Sequence, residues 1–463
     1  MAVLRFNKFV NLINKYQFMK NYSSALYIPG NKATDTFSYL TPYFDYEERF
    51  ANIENLKKNM KSRKLNDNID DLSKSWEFYK NIDNNRKSIE EKRETIGQQM
   101  KDIMKNKTLN EDDKKIIEGL RLQGKTLKQD LKSIKEIIWD LEETIIPRLL
   151  NLPNDIDEKT PETLEVVLKS SGQVSNVNES NKSHLEIGKE LGLIKYINPL
   201  HVYLLNDAAH FELATIKWAS KVLSDSNMLR ITGTDFAKSL VVEAACLDHE
   251  NPYDAFHLKN NENNKGKILN QQLHLIGNAS LISFLSMHTK QLINPKCFPL
   301  KYFSTGRQYI PIVENSSCIG LFGSCQTSAI QSFVMVQKKT SPQHQDEFEN
   351  MINNATNIYE QLEIPYRIVL RSADQLKNWE SLRVSFEIWS NYYNNYIETG
   401  HLSICGDFFS KRLLIAYQTP TGRDYPAIIT GTVLSVNRLL ACLIEQSKDQ
   451  LFIPKCIKQH MTI

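Results

Sequence analysis

Chemistry on phosphate esters needs fixed positive charge, and this chain withholds it along one stretch: after Arg307 no lysine or arginine occurs until Lys338. Charge developing on a transferred phosphoryl or adenylyl group must be met by cations or donors already in place. Acids are sparse there too, the first after Asn278 being Glu314. No His-Glu-x-x-His or Gly-x-Ser-x-Gly occurs, so a zinc-protease helix and a serine-hydrolase elbow are not indicated. Cys246, Cys297, Cys318, Cys325, Cys405, Cys442 and Cys456 are scattered and never spaced Cys-x-x-Cys. That pattern argues against a zinc ribbon or a disulfide framework and fits a reducing compartment.

The elements that must carry any site fall into two compositions. From Leu72 to Met104 apolar residues recur at 72, 76, 79, 82, 89, 96, 100 and 103, a coiled-coil spacing. Polar residues 106–113 interrupt it, and it restarts at Ile116, Leu120, Leu127, Leu131, Ile134, Ile138, Leu141 and Ile145. Two helices of about 30 residues should fold back as an antiparallel hairpin roughly 45 Å long. Arg86 and Arg93 interrupt the first seam, as candidate RNA contacts or as stems packed with their heads in solvent. Pro147, Pro153 and Pro161 then end the hairpin. Beyond a polar connection at 170–183, helices are expected at 206–225, 342–361 and 432–447. Strands are expected at 273–277, 299–305, 332–338, 366–370, 384–389 and 411–417.

Several stretches resemble the seryl-tRNA synthetase family of class II aminoacyl-tRNA synthetases. His184-Leu185-Glu186-Ile187-Gly188-Lys189-Glu190-Leu191-Gly192 is similar to the opening of that family's catalytic domain, and Leu362-Glu363-Ile364-Pro365-Tyr366-Arg367-Ile368-Val369 is similarly close. So is Phe386-Glu387-Ile388-Trp389 followed by Glu398, and Cys405-Gly406-Asp407-Phe408-Phe409-Ser410-Lys411-Arg412-Leu413 resembles Cys-Thr-Asp-Phe-Gln-Ser-Arg-Arg-Leu. The resemblance runs from about residue 45 to 447. It implies an α+β fold: an antiparallel coiled-coil arm, then an antiparallel sheet of about six or seven strands flanked by helices. It also implies dimerisation and an arm that grips transfer RNA.

The resemblance further assigns roles, and at several positions this chain departs from them. Where the family recognises serine with Thr-x-Glu, the chain has Asn278 and Ser280, and a neutral hydroxyl cannot make the charge-assisted bond to an ammonium. Where the family has Phe-Arg-Ser-Glu, the register after Phe298-Pro299-Leu300-Lys301-Tyr302 gives Tyr309-Ile310-Pro311-Ile312, with Arg307 as the alternative cation. Where the family has Phe-Glu-Lys-Val-Glu, the chain ends in Val334. Retained positions are Glu398, at the ATP-metal carboxylate; Arg438, at the third-motif arginine; and Thr430 and Thr432, at the serine-contacting positions. The first class motif, near Leu229–Gly233, is poorly preserved.

Arg5, Lys8, Lys15, Lys20 and Lys32 precede the first acid, Asp35, among apolar residues, as in a mitochondrial presequence. The whole chain has formal charge +3; without about 34 residues and those five cations it would be near −2. The expected organisation is a presequence at 1–34, a helical hairpin at 35–150 and a class II synthetase-like domain at 151–463. The expected function is a mitochondrial matrix homologue that has lost serine activation and needs no cofactor. It would act as a partner of the active mitochondrial seryl-tRNA synthetase or of itself, with seryl-tRNA as a further candidate partner and no membrane. Two alternatives stay open: a divergent active serine-tRNA ligase using ATP and Mg²⁺, and a coiled-coil interaction protein without RNA.

Overall fold

The computed structural model describes residues 24–30, 40–43, 45–105, 111–174, 182–258, 272–311 and 319–461. The chain divides into two compact units, Met1–Phe37 with Asp67–Leu152 and Ser38–Asn66 with Pro153–Ile463.

The first unit is a helical hairpin of α1 (Ile69–Met104) and α2 (Glu111–Leu150), 36 and 40 residues long. At 1.5 Å per residue these span about 54 and 60 Å, longer than the apolar seams alone suggest. Asn68 caps α1, its side chain accepting from the Asp71 amide. α2 runs through Pro147 to Leu150 and does not stop there. Buried Ile146, Leu149 and Leu150 outweigh the one missing backbone donor. Arg148 ties the base of the hairpin together, reaching Asp67 at 2.9 Å and Asp71 at 3.2 Å. The second seam is entered at buried Ile117, not at Ile116, which is 51% exposed. From Ile117 the three–four spacing passes through Leu120, Gly124 and Leu127, so a glycine holds one seam position.

The second unit is built on one sheet of eight strands. In chain order these are β1 (Val166–Ser171), β2 (Leu229–Ile231), then, after β3 (Phe236–Lys238), β4 (Phe256–His257) and β5 (Leu273–Leu275) of a small separate sheet, β6 (Leu300–Tyr309), β7 (Gln326–Val336), β8 (Tyr366–Leu370), β9 (Leu382–Ser390), β10 (Asn395–Gly406) and β11 (Ala427–Ser435). The large sheet runs β1-β8-β9-β10-β11-β7-β6-β2, antiparallel except where β2 joins β6, and so exceeds the expected six or seven strands. Helices α3 (His184–Glu190), α4 (Asp207–Asp225), α5 (Leu281–His288), α6 (Pro342–Gln361), α7 (Phe408–Leu413) and α8 (Val436–Ile444) flank it. Residues 46–62, which the sequence groups with the hairpin, pack in this unit through buried Arg63. Its guanidinium donates to the carbonyls of Asn154, Lys377 and Glu380.

One face of the large sheet is the core. Phe211, Trp218 and Leu223 of α4, Phe348 and Tyr359 of α6, and Leu439 and Leu443 of α8 cover Phe303, Ile330, Val334, Phe386, Leu402 and Val433. Two expected elements are placed differently. The helix expected from 432 begins at Val436, because the β-branched run Ile428–Val433 completes β11 between β7 and β10. The strand expected over 411–417 is instead the end of α7, which stops at left-handed Leu414 before a strand at Ala416–Thr419. Lys411 and Arg412 in its last turn suit the helix dipole, and Phe408, Phe409 and Leu413 supply its buried face.

Candidate functional site

The other face of the large sheet holds the retained candidates, and its two halves differ in chemistry. On β6, β7 and β11 the groups are neutral. Strand alternation puts Gln308, Gln331, Thr430 and Thr432 on one side, where they form a directed chain. Gln308 Nε2 donates to Thr432 Oγ1 (3.1 Å), Thr432 Oγ1 to Gln331 Oε1 (2.9 Å), Gln331 Nε2 to Thr430 Oγ1 (3.0 Å), and Thr430 Oγ1 to the Ser332 carbonyl (2.8 Å). Aligned bonds of this kind polarise one another. Thr430 and Thr432, the expected serine-contacting hydroxyls, are thus committed to their neighbours.

Asn278 lies over Gly306, where a Cβ would stand 2.0 Å from its Oδ1, so the close approach requires glycine there. Its amide is held by Asp235 at 2.9 Å. Ser280 caps α5, accepting from the Ser283 amide at 3.3 Å and donating to the Gly277 carbonyl at 2.7 Å. Behind it Phe284 stacks on Phe333 (5.0 Å between centroids), and His288 stacks on Tyr302. The strand that would recognise an ammonium therefore opens onto an aromatic stack. Among the described residues Ile310 bonds through its amide, to Cys325, and it is 54% exposed. Ile312 lies outside the described residues. Arg307 points to the core face, where it meets Glu212 of α4 at 2.5 Å and Ser328 at 2.8 Å. Val334 is also on that face, 1% exposed, so it is Gln331 of the same stretch that reaches the site.

On β8, β9 and β10 the face is charged and closed upon itself. Glu398 receives Arg383 on Oε1 (2.5 Å) and Ser385 on Oε2 (2.6 Å), with Arg371 at 3.6 Å. Arg371 also bonds Glu165 at 2.6 Å and Glu387, which Arg367 binds as well. Arg383 reaches Glu380 at 3.1 Å, and Ser403 donates to Glu380 at 2.7 Å. Burial alone would raise the Glu398 carboxyl; Arg383, with Ser385 and Arg438, outweighs it and holds the group well below the carboxylate range. Burial, then the charge of Arg383, pushes His401 well below its ordinary value and keeps it neutral. Arg438 donates to the Glu398 backbone carbonyl at 2.8 Å.

A divalent ion with ATP would need Glu398 oxygens free to coordinate. Both are held by side-chain donors of the protein, and the third-motif arginine is held by a main-chain carbonyl, so the donor set does not fit Mg²⁺ and ATP as it stands. Among the described residues no group of three or more His, Cys, Asp and Glu is arranged to hold a metal.

On the hairpin Arg86 pairs within its own helix, with Asp83 at 2.7 Å and Glu90 at 2.7 Å, while Arg93 is exposed. A groove of about 560 Å³ opens between the helices, lined by Lys92, Ile96, Gln99, Leu122, Thr126 and Leu127.

Residues 269–447 match the family described as tRNA synthetase class II core domain (G, H, P, S and T). Over that stretch the chain is similar to a class II tRNA synthetase core. Beyond that core, the Drosophila melanogaster serine–tRNA synthetase-like protein Slimp is 28% identical over 425 residues, 91% of this chain and 88% of the relative. Serine–tRNA ligase of Borreliella burgdorferi strain ZS7 is 25% identical over 432 residues, 88% of this chain and 96% of the relative. Among solved structures, Pyrococcus horikoshii seryl-tRNA synthetase with ATP gives a TM-score of 0.74, and cytoplasmic serine–tRNA ligase of Naegleria fowleri with AMP gives 0.70. Each is 18% identical and covers 90% of this chain, with 98% and 95% of the solved chains covered. The synthetase-like fold therefore extends over nearly the whole chain, arm included. Five side chains that shape the core's site face, Gln308, Gln331, Arg371, Arg383 and Glu387, were not singled out from sequence. For Arg383, Ser385 and Glu387 the signal was present: polar residues at every second position of an otherwise apolar strand.

Proposed function

We propose that this synthetase-like protein does not activate serine and acts by binding, as the dimer partner of an active seryl-tRNA synthetase in mitochondria. The observation that carries the reading is that the candidate ligands on the site face are already bonded to one another. Thr430 and Thr432 close a neutral chain, Glu398 is closed by Arg383 and Ser385, and Arg307 is turned to Glu212. Removing one electrostatic stabiliser typically costs roughly 100- to 1,000-fold in rate, so losses at the ammonium and phosphate positions together leave little activation. Neither ATP nor Mg²⁺ is needed for a role of this kind.

A partner surface is supported by exposed apolar side chains. Ile197, Leu200 and Tyr203 on the hairpin 194–204, Leu213 of α4, Leu229 of β2 and Phe236 of β3 are each 48–69% exposed. The basic, acid-free segment before Asp35 supports import into mitochondria. Serine-dependent ATP–pyrophosphate exchange on the purified chain tests the loss of activation, and none above background is expected. Exchange comparable to an active enzyme would establish a divergent ligase instead. Co-purification with the mitochondrial seryl-tRNA synthetase tests the partner; recovery only as a self-dimer or monomer defeats that part. Ultraviolet cross-linking then separates an arm that holds seryl-tRNA from one that serves protein contacts alone.

A further inference from the structure

The segment Ser24–Gly30, ahead of the synthetase-like core and the arm helices, is tied to the hairpin at two points, Tyr27 and Gly30, and is itself buried at Ala25 and Leu26. Ala25 and Leu26 are each 2% exposed. Tyr27 hydrogen-bonds the carboxylate of Glu142 on α2, which also accepts from Tyr79 of α1 at 3.0 Å. At Gly30 the backbone crosses the edge of Trp139 so closely that a Cβ would stand 2.6 Å from the indole nitrogen. The Tyr27 amide donates to Ser24 Oγ at 2.9 Å, which folds the segment's start back on itself. Glu142 is 7% exposed, and burial pushes its carboxyl above the ordinary range while the two phenols oppose that rise. A buried carboxylate left without such donors is costly, so the pair of tyrosines is what makes the position tenable.

We propose that Ser24–Gly30 is a clasp closing the base of the hairpin, locked by Tyr27 on Glu142, and that it stays on the working chain when the basic segment ahead is removed. The removal is hydrolysis of one peptide bond upstream of Ser24 by a processing peptidase. Water gives its hydroxyl to the new carboxyl group and its hydrogen to the new amine. That a cut occurs rests on the import reading above; its position, ahead of Ser24 and so short of the expected boundary at 34, rests on the clasp.

Two measurements test it, both on the full chain. In hydrogen exchange, Tyr27→Phe should speed the amides of Ile138–Ile146 by about 5- to 30-fold. In the background of Glu142→Met the same change should have much less effect, because the two groups act as one unit. Equal effects in both backgrounds, or no effect in either, would overturn the clasp. Intact mass of the chain recovered from mitochondria should place its first residue at or before Ser24, and a first residue beyond it overturns retention. Recovery only outside mitochondria, uncut, sinks the import reading and the cut with it, while the exchange cycle still decides the clasp.

Discussion

The two halves of the site face satisfy the same requirement by opposite means. On β6, β7 and β11 four neutral side chains, Gln308, Thr432, Gln331 and Thr430, hand hydrogen bonds along one line. On β8, β9 and β10 Arg367, Arg371 and Arg383 are interleaved with Glu165, Glu380, Glu387 and Glu398. A neutral chain can lose a member at the cost of one or two hydrogen bonds. A buried ionic cluster cannot, because removing one charge leaves its partners uncompensated. The contrast explains how charge can be absent from one half of a synthetase-like face and retained in the other. Where a charge would have only a substrate to meet, its absence leaves no orphan. Where charges meet each other, they are part of the fold.

The largest expected effect follows from that asymmetry. Glu398→Gln should destabilise the second unit by about 3 kcal/mol, since Arg383 and Arg371 lose their shared anion. Chemical denaturation measures it, and a change under about 1 kcal/mol would mean the charged half is no more integral than the neutral one. Next in size is Gln331→Leu, which breaks the chain at its centre and leaves Thr430 and Thr432 short of partners, at about 1–3 kcal/mol. If Gln331→Leu exceeds Glu398→Gln, the comparison is inverted.

Acid separates the halves further. The Glu398 pKa is lowered in the folded state, so its contribution is fully present above its unfolded value of about 4.3 and is lost as pH falls through the lower folded value. His274 is pushed down to about 4 by burial and by His257 and His249, so its contribution is lost as pH falls from about 6.5 through that value. This second loss is common to parent and variants and cancels between them. The gap between parent and Glu398→Gln should therefore narrow only below about pH 4.3, while the gap to Gln331→Leu stays constant. A constant gap for both variants would show that Glu398 is not ionised in the way its partners imply.

Much of the fold was legible because its periodicities are strong. The helix expected at 342–361 lies at Pro342–Gln361, started by Pro342 in its first turn. The strand expected at 366–370 is Tyr366–Leu370. Failures came where two signals competed. Ile116 and Ile117 both suit a seam, and only the three–four continuation through Gly124 selects the second. At the site, sequence identified which charges are missing but not where those remaining point. Arg307 seemed able to replace a phosphate-binding arginine until strand alternation put it beside Ser328 on the core face, with Gln308 taking the site side. Which partner a retained Glu398 would choose depends on Arg383 and Ser385 across a strand pair with a bulge, which no local spacing encodes.

The smallest effect is expected where the missing charge would be put back. Ile310 is exposed and among the described residues bonds through its backbone, so Ile310→Arg should change stability by no more than about 0.5 kcal/mol. It should also leave serine-dependent ATP–pyrophosphate exchange at background. Thr432 and Gln331 would still be bonded to each other, and Glu398 would still be held by Arg383. Exchange rising tenfold or more in this single variant would mean that one cation was all that separated the neutral half from a working site. The charged half would then have to open to admit the nucleotide. Exchange rising only when Arg383→Ser is added would place the block at Glu398, and the closed ion pairs would be the feature that keeps this face from turning over.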